Sequence, residues 1–410
     1  MRGRHATDAL LEALHDTPAV YLQGARQTGK STLVRAVAER QHPAQYLTLD
    51  TAAVLDAALN DPEGFVAGLE RPVVIDEVQR APALALAIKA AVDSDRHPGQ
   101  FLLTGSASVM SLPALSDSLA GRMELHTLWP FSRGELAGVR ETFVDRVFAE
   151  RLVTPDTVPN TEKSLVERMC TGGYPEIQTR RSHARRQAWF DSYVDAILQR
   201  DVRELANIER LSELPRLLAL LASRAGELLN FADLARTLGI PQTTLKRYMT
   251  LMEMTFLVRL LPAWFSNLGK RLAKAPKLLL TDTGLLTHLI EADASRLRRD
   301  RTLLGHVLEN FVAMELIKQL GWSRPRCRLF HFRTESGAEV DLVLEDRAGR
   351  LVGVEVKSAA TVRQQDFRGL ETLARLTGDR FARGVVLCTG TTVVPFGRNL
   401  FALPVSQLWA

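Results

Sequence analysis

The 410-residue chain is poor in the features of secreted and membrane proteins. Its three cysteines, Cys170, Cys327 and Cys388, are widely separated and odd in number, which excludes a disulfide framework and a C-x-x-C metal pair. The segment before Asp8 and Glu12 has no long apolar run typical of a signal peptide. No window of about 18 apolar residues is present, which argues against a membrane span. We therefore expect a cytoplasmic protein that does not contact a membrane.

The chain also lacks a strong excess of charge or of aromatic side chains. Its net charge is +5 at pH 7, and aromatic residues make up 6%. A mild basic excess permits binding to nucleic acid without requiring it. Apolar residues account for 46% and charged residues for 24%, as in ordinary globular proteins, and the length suffices for two or three domains.

What the chain does contain, near its N-terminus, is a phosphate-binding pattern. Residues 24–31 read Gly-Ala-Arg-Gln-Thr-Gly-Lys-Ser and fit G-x-x-x-x-G-K-[ST], between an apolar strand and a helical segment. In such a loop the backbone N–H groups surround phosphate oxygens, Lys30 reaches the β- and γ-phosphates, and Ser31 ligates Mg²⁺. The pattern predicts a nucleoside triphosphate with Mg²⁺, bound by Gly24, Gln27, Thr28, Gly29, Lys30, Ser31 and Thr32.

Two further apolar strands end in polar residues. Asp76 and Glu77 follow one of them, and Thr104 and Ser106 follow the other. In a triphosphatase Asp76 would hold Mg²⁺, and Glu77 would polarise the attacking water. Thr104 or Ser106 could contact the γ-phosphate or that water. The alternatives are two solvated acids in the first case and an ordinary turn in the second.

Short strands alternate with helical segments between residues 18 and 130, which predicts an α/β fold with a parallel sheet covered by helices on both faces. The expected strands are 19–23, 45–50, 72–76, 100–104 and 123–128. A turn-rich connector follows at 150–162, then a mostly helical stretch and a strand-rich tail. We predict three domains, at 1–150, 163–300 and 301–410.

The order of the N-terminal motifs resembles that of AAA+ ATPases. Four further segments resemble a family of prokaryotic AAA-type ATPases that carry a C-terminal domain of unknown function. These segments are 76–80, 103–106, 119–122 and 171–176. The resemblance covers nearly the whole chain and implies ATP as the nucleotide and hydrolysis as the reaction. Arg122 is then a candidate finger for γ-phosphate charge, in cis or from a neighbour in a homo-oligomer. A surface arginine in a turn is the alternative for Arg122, and Arg200 is a second candidate finger.

Residues 211–262 predict a winged-helix module. One helical pattern stops at Gly239 and a second begins after Pro241, as in a helix-turn-helix. A strand over 254–261 would form the wing. The polar start of the second helix could meet DNA through Gln242, Thr243, Thr244, Lys246 and Arg247. Packing beside the ATPase domain is an equally compatible role for such a module.

The tail contains a hairpin with charged residues on one face. Two alternating strand patterns flank a turn centred on Ala348. This register places Asp341 opposite Glu355 and Glu339 opposite Lys357. Because side chains two residues apart share a face, all four should converge on one side of the hairpin.

Three acids and a lysine at one strand edge suit a hard metal ion. Asp341 and Glu355 would hold Mg²⁺ or Mn²⁺, and Lys357 would activate water and stabilise charge on a phosphodiester. These residues resemble the PD-(D/E)xK nucleases, by which Glu309 is the helix acid, although the leading proline is absent. The alternative is a solvent face with cross-strand ion pairs, but Asp341 facing Glu355 would be unfavourable without a cation or a proton.

Together the patterns predict an AAA+ sheet domain, a helical and winged-helix region, and an α/β restriction-endonuclease-like domain. The main interpretation is an ATP-hydrolysing protein that acts on DNA, coupling hydrolysis to a metal-dependent nuclease or DNA-binding tail. The alternative is a nucleotide-operated switch whose inactive nuclease-like tail only binds DNA or a protein partner.

Overall fold

The computed structural model describes residues 2–108, 117–154, 162–202, 213–267, 271 and 274–410. The N-terminal strands are β1 Ala19–Gln23, β2 Gln45–Thr48, β3 Val73–Asp76, β4 Phe101–Gly105 and β5 Met123–Thr127. They form one sheet in the order β2-β3-β4-β1-β5, with every pairing parallel. The helices of this part are α1 Ala6–Asp16, α2 Lys30–Arg40, α3 Ala52–Asn60, α4 Pro62–Ala67, α5 Leu84–Ser94, α6 Arg133–Ala137 and α7 Phe143–Phe148.

Alternate side chains of β1 enter two different cores, because successive side chains of a strand point to opposite faces of the sheet. Tyr21 is fully buried in a cluster with Ile88 of α5. Val20 and Leu22 are fully buried in a second cluster with Val34 of α2. The prediction of a parallel sheet with helices on both faces is therefore confirmed.

The middle part is mostly helical. Its helices are α8 Glu162–Thr171, α9 His183–Ala196, α10 Glu213–Ser223, α11 Phe231–Leu238, α12 Gln242–Met254, α13 Thr283–Leu289 and α14 Ala294–Arg299. Two antiparallel strands, β6 Val258–Leu261 and β7 Lys277–Leu280, pair with each other. Asn230 caps α11 by accepting two backbone N–H groups, and Gly239 ends that helix with a φ of 69°.

The helices α10, α11 and α12 and the β6–β7 pair lie in the order of a winged-helix module. One boundary differs from the sequence prediction. The second helix of the pair continues to Met254, so the wing strand begins at Val258 rather than at residue 254. Phe256 turns the chain between them with a φ of 59°.

The C-terminal part is a mixed sheet with two helices, α15 Arg301–Gln319 and α16 Arg368–Thr377. Its strands are β8 Cys327–Arg333, β9 Glu339–Asp346, β10 Leu351–Lys357, β11 Phe381–Cys388, β12 Val394–Pro395 and β13 Leu400–Pro404. The sheet order is β12-β13-β11-β10-β9-β8. None of the helices within the described ranges is both long and apolar enough to cross a membrane.

The hairpin of β9 and β10 has the register that the sequence predicted. Leu351 pairs with Glu345 and Val354 pairs with Leu342 in an antiparallel ladder, which centres the turn on Ala348. One hydrophobic core joins this sheet and α15 to the helices of the middle part. The acidic hairpin edge is consequently held next to the winged-helix module.

Candidate nucleotide site and C-terminal acid cluster

The phosphate loop, residues 24–31, leads from the carboxyl end of β1 into α2. Gly24 has a φ of 154°, and a Cβ at this position would lie 2.3 Å from the carbonyl oxygen of Leu128. Gly29 precedes α2 in the left-handed region with a φ of 95°, which favours glycine. The loop thus runs directly into the N-terminus of α2, whose first N–H groups have no partner within the helix and can bind phosphate.

Lys30 and Thr28 are held by the backbone of the loop itself. The Lys30 Nζ donates to the carbonyl oxygens of Gly24 and Ala25 at 2.9 and 3.0 Å. The Thr28 hydroxyl is buried and donates to the Ala25 carbonyl at 2.9 Å. Thr28 therefore shapes the loop, whereas Gln27, Gly29, Lys30, Ser31 and Thr32 line an adjoining cavity.

Asp76 is the centre of a hydrogen-bond network at the ends of three neighbouring strands. Its Oδ1 accepts the Ser31 hydroxyl at 3.2 Å and also the Thr104 hydroxyl. Its Oδ2 accepts the Tyr46 hydroxyl at 2.7 Å. Burial and this bond to Asp76 raise the pKa of Tyr46 to about 12, so the phenol stays a donor. Nothing in the sequence singled out Tyr46, which lies on the adjacent strand β2.

Glu77 lies beside this network in a left-handed conformation, with a φ of 61°. Its backbone N–H donates to the Thr104 hydroxyl at 3.2 Å. Ser106 donates to the Glu77 carboxylate at 3.3 Å, and Gln79 Nε2 donates to both Glu77 and Ser106. The structure thus brings the predicted Glu77 and Ser106 together and adds Gln79, which sequence reasoning had quoted only as part of a family motif.

A cavity of about 650 Å³ opens between the phosphate loop and the middle part of the chain. On the far side it is lined by Pro175, Glu176, Arg180, Trp189 and Tyr193, among others. Trp189 stacks on Tyr193 with ring centroids 4.8 Å apart. The Tyr193 hydroxyl also donates to the carbonyl of Arg26, 3.3 Å away. Residues 171–176 were identified only as a segment that resembles the family, and the rest of this wall was not predicted, because it is distant in sequence from the loop.

The residues around the cavity fit a magnesium nucleotide. The volume is within the usual range of ligand pockets, and the loop offers backbone N–H groups and an ammonium for phosphate. The Ser31 hydroxyl and the Asp76 carboxylate are in contact, and both are oxygen donors of the kind that Mg²⁺ prefers.

Arg122 lies away from this cavity. It immediately precedes β5, and its carbonyl accepts the N–H of Ala19 at the start of β1, so it is at the amino edge of the parallel sheet. Its guanidinium makes two bonds to the carboxylate of Asp93, at 2.6 and 3.0 Å. The structure therefore does not bring Arg122 to the phosphate loop of its own chain, and the finger role from a neighbouring copy stays a prediction. The side chain of Arg200 lies outside the described residues.

The second helix of the helix-turn-helix presents a polar face. Gln242, Thr243, Lys246 and Arg247 are exposed on α12, whereas Leu245 is buried. The predicted DNA-contacting residues are thus on the outside of the module, with Thr244 partly covered.

The acid cluster of the tail comprises Glu309 on α15, Glu339 and Asp341 on β9, and Glu355 on β10. Asp341 Oδ2 accepts the Val356 N–H at 2.9 Å. The backbone N–H of Asp341 donates in turn to the Glu355 carboxylate at 3.4 Å. Asp341 and Glu355 are therefore adjacent across the hairpin, as the predicted register required.

The cross-strand ion pair between Glu339 and Lys357, which belonged to the alternative of a solvent face, is not formed. Lys357 Nζ instead pairs with Glu355 of its own strand at 2.7 Å. Glu339 pairs with Arg333 at 3.6 Å and with Lys277 at 3.0 Å. The reason is tertiary: Lys277 belongs to the wing strand β7, which packs against this edge and competes for the carboxylate.

Lys277 is the residue that sequence reasoning missed in the acid cluster. Its Nζ lies 2.7 Å from Glu309 and 3.5 Å from Asp341, in addition to Glu339. Burial alone would lower the pKa of Lys277, but the three carboxylates outweigh burial and raise it. Burial and the Asp341 charge raise the pKa values of Glu309 and Glu355. The Lys277 ammonium therefore offsets part of the clustered negative charge.

These side chains do not fit a divalent metal ion. Within the described ranges, no group of three or more histidine, cysteine, aspartate or glutamate side chains could hold a metal. An ammonium already contacts three of the four acids. No catalytic step through a metal is therefore assigned to the tail.

Comparisons with known proteins divide the chain into three matched segments. Residues 16–137 match the sequence model of an AAA domain. Residues 162–296 match a domain of unknown function, DUF8612, and residues 304–408 match another, DUF4143.

Two solved structures are also similar in part. AMPPCP-bound DnaA from Aquifex aeolicus is 13% identical, with 61% of this chain and 86% of that chain covered and a TM-score of 0.29. RuvB T158V from Thermotoga maritima is 18% identical, with 62% and 85% covered and a TM-score of 0.27. TM-scores this low support no functional argument.

Two relatives match almost the whole chain. They are the uncharacterized proteins Mb2031c of Mycobacterium bovis and Rv2008c of Mycobacterium tuberculosis. Each is 34% identical over 408 residues, which cover 99% of this chain and 84% of the relative. Together with the phosphate loop and the matched AAA domain, this identifies an AAA-type P-loop nucleotide-binding protein that belongs to the same family as these two mycobacterial proteins.

Proposed function

We propose that this protein is an ATP-hydrolysing switch, in which nucleotide bound between the AAA domain and the helical middle part sets the contact between them. The observation that carries the proposal is the composition of the cavity wall. One side is the phosphate loop, and the other is residues 175–196, from the next domain segment. A ligand that contacts both sides can bind one of their relative arrangements more tightly than another. It then shifts the population toward that arrangement, which is the requirement for a nucleotide-dependent switch.

In the proposed reaction Ser31 and Asp76 would hold Mg²⁺, which would neutralise phosphate charge. Lys30 exchanges the carbonyls of Gly24 and Ala25 for oxygens of the terminal phosphates. Glu77 orients a water for attack on the γ-phosphorus and accepts one proton from it. As the new bond to the water oxygen forms, the bond from the γ-phosphorus to the β–γ bridging oxygen breaks, and that oxygen leaves with ADP. Gln79 positions the Glu77 carboxylate through the bond described above.

Arg180 is the arginine we propose for stabilising γ-phosphate charge within one chain. It lines the cavity and pairs with Glu176 at 3.0 Å. Its buried Nε has no hydrogen-bond partner among the described residues. A buried guanidinium N–H without a partner is costly, and an anion in the cavity would satisfy it. Arg122, bonded to Asp93, offers no comparable donor to the cavity of its own chain.

ATP turnover tests this proposal. We expect Lys30→Ala to abolish phosphate release, and Arg180→Ala to lower kcat by roughly 10²–10³-fold, the effect of losing one charge-stabilising donor. Arg122→Ala is the matched control, because it also removes one arginine, but from a position that does not line the cavity. Unchanged phosphate release in Lys30→Ala would overturn the site assignment. Loss of turnover in Arg122→Ala instead of Arg180→Ala would assign the finger to a neighbouring copy.

A second candidate function is DNA binding through the winged helix. It is favoured by the exposed polar side chains of Gln242, Thr243, Lys246 and Arg247 along α12, since such a helix suits the major groove. Under this proposal the tail does not cut DNA, because Lys277 contacts its acids.

Fluorescence anisotropy with a duplex over a series of salt concentrations tests this second function. We expect Lys246→Ala/Arg247→Ala to weaken binding and to reduce the salt slope by about 2, one for each phosphate contact. Arg140→Ala/Arg375→Ala removes the same charge from other exposed positions and should leave the slope unchanged. Equal losses in both double variants would indicate nonspecific attraction. Nicking with Mg²⁺ or Mn²⁺ that disappears in Asp341→Asn would favour the nuclease interpretation instead.

A further inference from the structure

Backbone pairing and an amide side chain hold the wing strand β7 at both edges and at its end, independently of any charged group. Lys277 pairs in antiparallel fashion with Leu261 of β6 on one side and forms a bridge with Leu228 on the other. At the far end of the strand, the Asn310 amide accepts the Leu280 N–H and donates to the Leu280 carbonyl, both at 2.9 Å. The position of the Lys277 backbone is therefore determined by the fold, not by the flexible side chain.

The Lys277 side chain crosses from the middle part of the chain into the C-terminal part. The lysine lies within residues 162–296, which match one domain model, while its carboxylate partners lie within 304–408, which match another. Only 3% of the side chain is exposed. Its Nζ contacts Glu309, Glu339 and Asp341 at 2.7, 3.0 and 3.5 Å. Three carboxylates from a helix and a strand thus converge on one ammonium supplied by a different domain.

In this geometry an ammonium lies on carboxylate oxygens that a metal ion would need. Divalent metals bind carboxylate oxygens at about 2.0–2.6 Å, so a metal on Glu309 and Asp341 would compete directly with an ammonium that already lies at hydrogen-bond distance. The hairpin lysine Lys357 is also engaged, at 2.7 Å from Glu355. Both lysines therefore act as counter-cations to the acids.

We propose that the acid cluster of the tail is not a metal site but an interdomain ion-pair clamp, in which Lys277 takes the place of a divalent cation and fastens the winged-helix module to the C-terminal domain. The clamp explains why four acids can lie together next to a domain boundary. It also separates the tail from metal-dependent phosphodiester chemistry. It is independent of the ATPase proposal, since none of these side chains lines the nucleotide cavity.

Mn²⁺ binding to the full chain without nucleotide tests the clamp, with free Mn²⁺ followed by electron paramagnetic resonance. All proteins carry Asp76→Asn, so that the N-terminal site does not contribute. We expect no Mn²⁺ binding that depends on Asp341 when Lys277 is present. Lys277→Met removes the ammonium with little change in side-chain length, and we expect it to gain one Mn²⁺ site per chain that the Lys277 protein lacks. Adding Asp341→Asn to Lys277→Met should abolish that site, and Lys277→Arg should not create it.

Two results would overturn the clamp. One is a site in the Lys277 protein that binds Mn²⁺ and is weakened by Asp341→Asn, because the cluster would then hold metal despite the lysine. The other is a folded Lys277→Met protein without a new site. If Lys277→Met does not fold, the comparison of Mn²⁺ binding with and without Asp341→Asn in the Lys277 protein decides alone. The clamping role has a separate readout: Lys277→Met should lower the Tm, and adding Glu309→Gln should restore part of the loss. Simply additive losses would contradict an ion pair.

Discussion

The backbone of Gly173 bonds to two other parts of the chain, at Phe131 and at Asp282. Replacing Gly173 with alanine should therefore lower the stability of the fold. Its backbone N–H donates to the buried Asp282 carboxylate at 2.6 Å. Its carbonyl accepts the N–H of Phe131 at 2.8 Å. A Cβ on Gly173 would lie 2.3 Å from the Phe131 carbonyl oxygen and 3.2 Å from Pro130 Cβ. Since the nearest clashing atom belongs to the backbone, a side-chain rotation cannot relieve the overlap.

The size of the effect follows from two contributions. Forcing extra volume into a packed site costs about 1–3 kcal/mol. Pulling Gly173 away from Asp282 would also weaken a hydrogen bond to a charged group, which contributes about 1.5–3 kcal/mol. Gly173→Ala should therefore lower the free energy of unfolding by roughly 3–5 kcal/mol. Because Tyr174 and Pro175 follow directly and Pro175 lines the nucleotide cavity, the KM for ATP should rise as well.

Urea unfolding of the full chain measures this loss, with Gly121→Ala as the control. Gly121 lies in the left-handed region with a φ of 72°, and an added Cβ there would meet nothing within 4 Å. The control should lose only about 1 kcal/mol from backbone strain. A Gly173→Ala protein as stable as Gly121→Ala would refute the overlap argument. An unchanged KM for ATP alongside a large stability loss would refute the link from this junction to the cavity.

Three further predictions concern single side chains. Tyr46→Phe removes a donor that competes for Asp76, so the Mg²⁺ concentration for half-maximal ATP turnover should fall a few-fold; an unchanged Mg²⁺ dependence would contradict the competition. Asn310→Ala leaves two buried backbone groups of Leu280 without partners and should lower the free energy of unfolding by about 2–5 kcal/mol in urea titrations, whereas a loss below about 1 kcal/mol would mean that the strand finds other partners. Burial and the nearby Lys277 charge lower the pKa of His331 to about 4. Between pH 6.5 and 4 the unfolded chain therefore binds a proton on His331 that the folded chain does not. Because of this difference, the stability of the folded state falls as the pH falls. The loss approaches the order of 3 kcal/mol at 1.36 kcal/mol per pKa unit, and His331→Gln should flatten this part of the pH profile relative to the unchanged chain.

Local patterns predicted the parts of the molecule that depend on residues close in sequence. The phosphate loop spans eight consecutive residues, so its conformation and its lysine could be read directly from residues 24–31. The hairpin register around Ala348 was predictable for a similar reason, since alternation and a short turn determine which residues face each other. The parallel sheet followed from the alternation of strands and helices.

Partners that are distant in sequence could not be predicted in this way. Lys277 is 32 residues from Glu309 and 64 from Asp341, and in sequence it is an ordinary lysine at the start of an apolar run. Tyr46 is 30 residues from Asp76 and belongs to no motif. The alternative of a Glu339–Lys357 ion pair considered the hairpin alone, without the strand β7 whose Lys277 contacts Glu339.

The sequence by itself determined the phosphate chemistry of the N-terminal domain, since a contiguous loop carries its own N–H groups, ammonium and hydroxyl. Its alternation also predicted that three acids, Glu339, Asp341 and Glu355, share one face of the tail hairpin. Only the tertiary structure decided what surrounds each of these groups. Packing placed Trp189 and Tyr193 opposite the loop and placed Lys277 among the acids. A buried carboxylate cluster requires compensating positive charge, and which cation supplies it depends on the neighbouring domain.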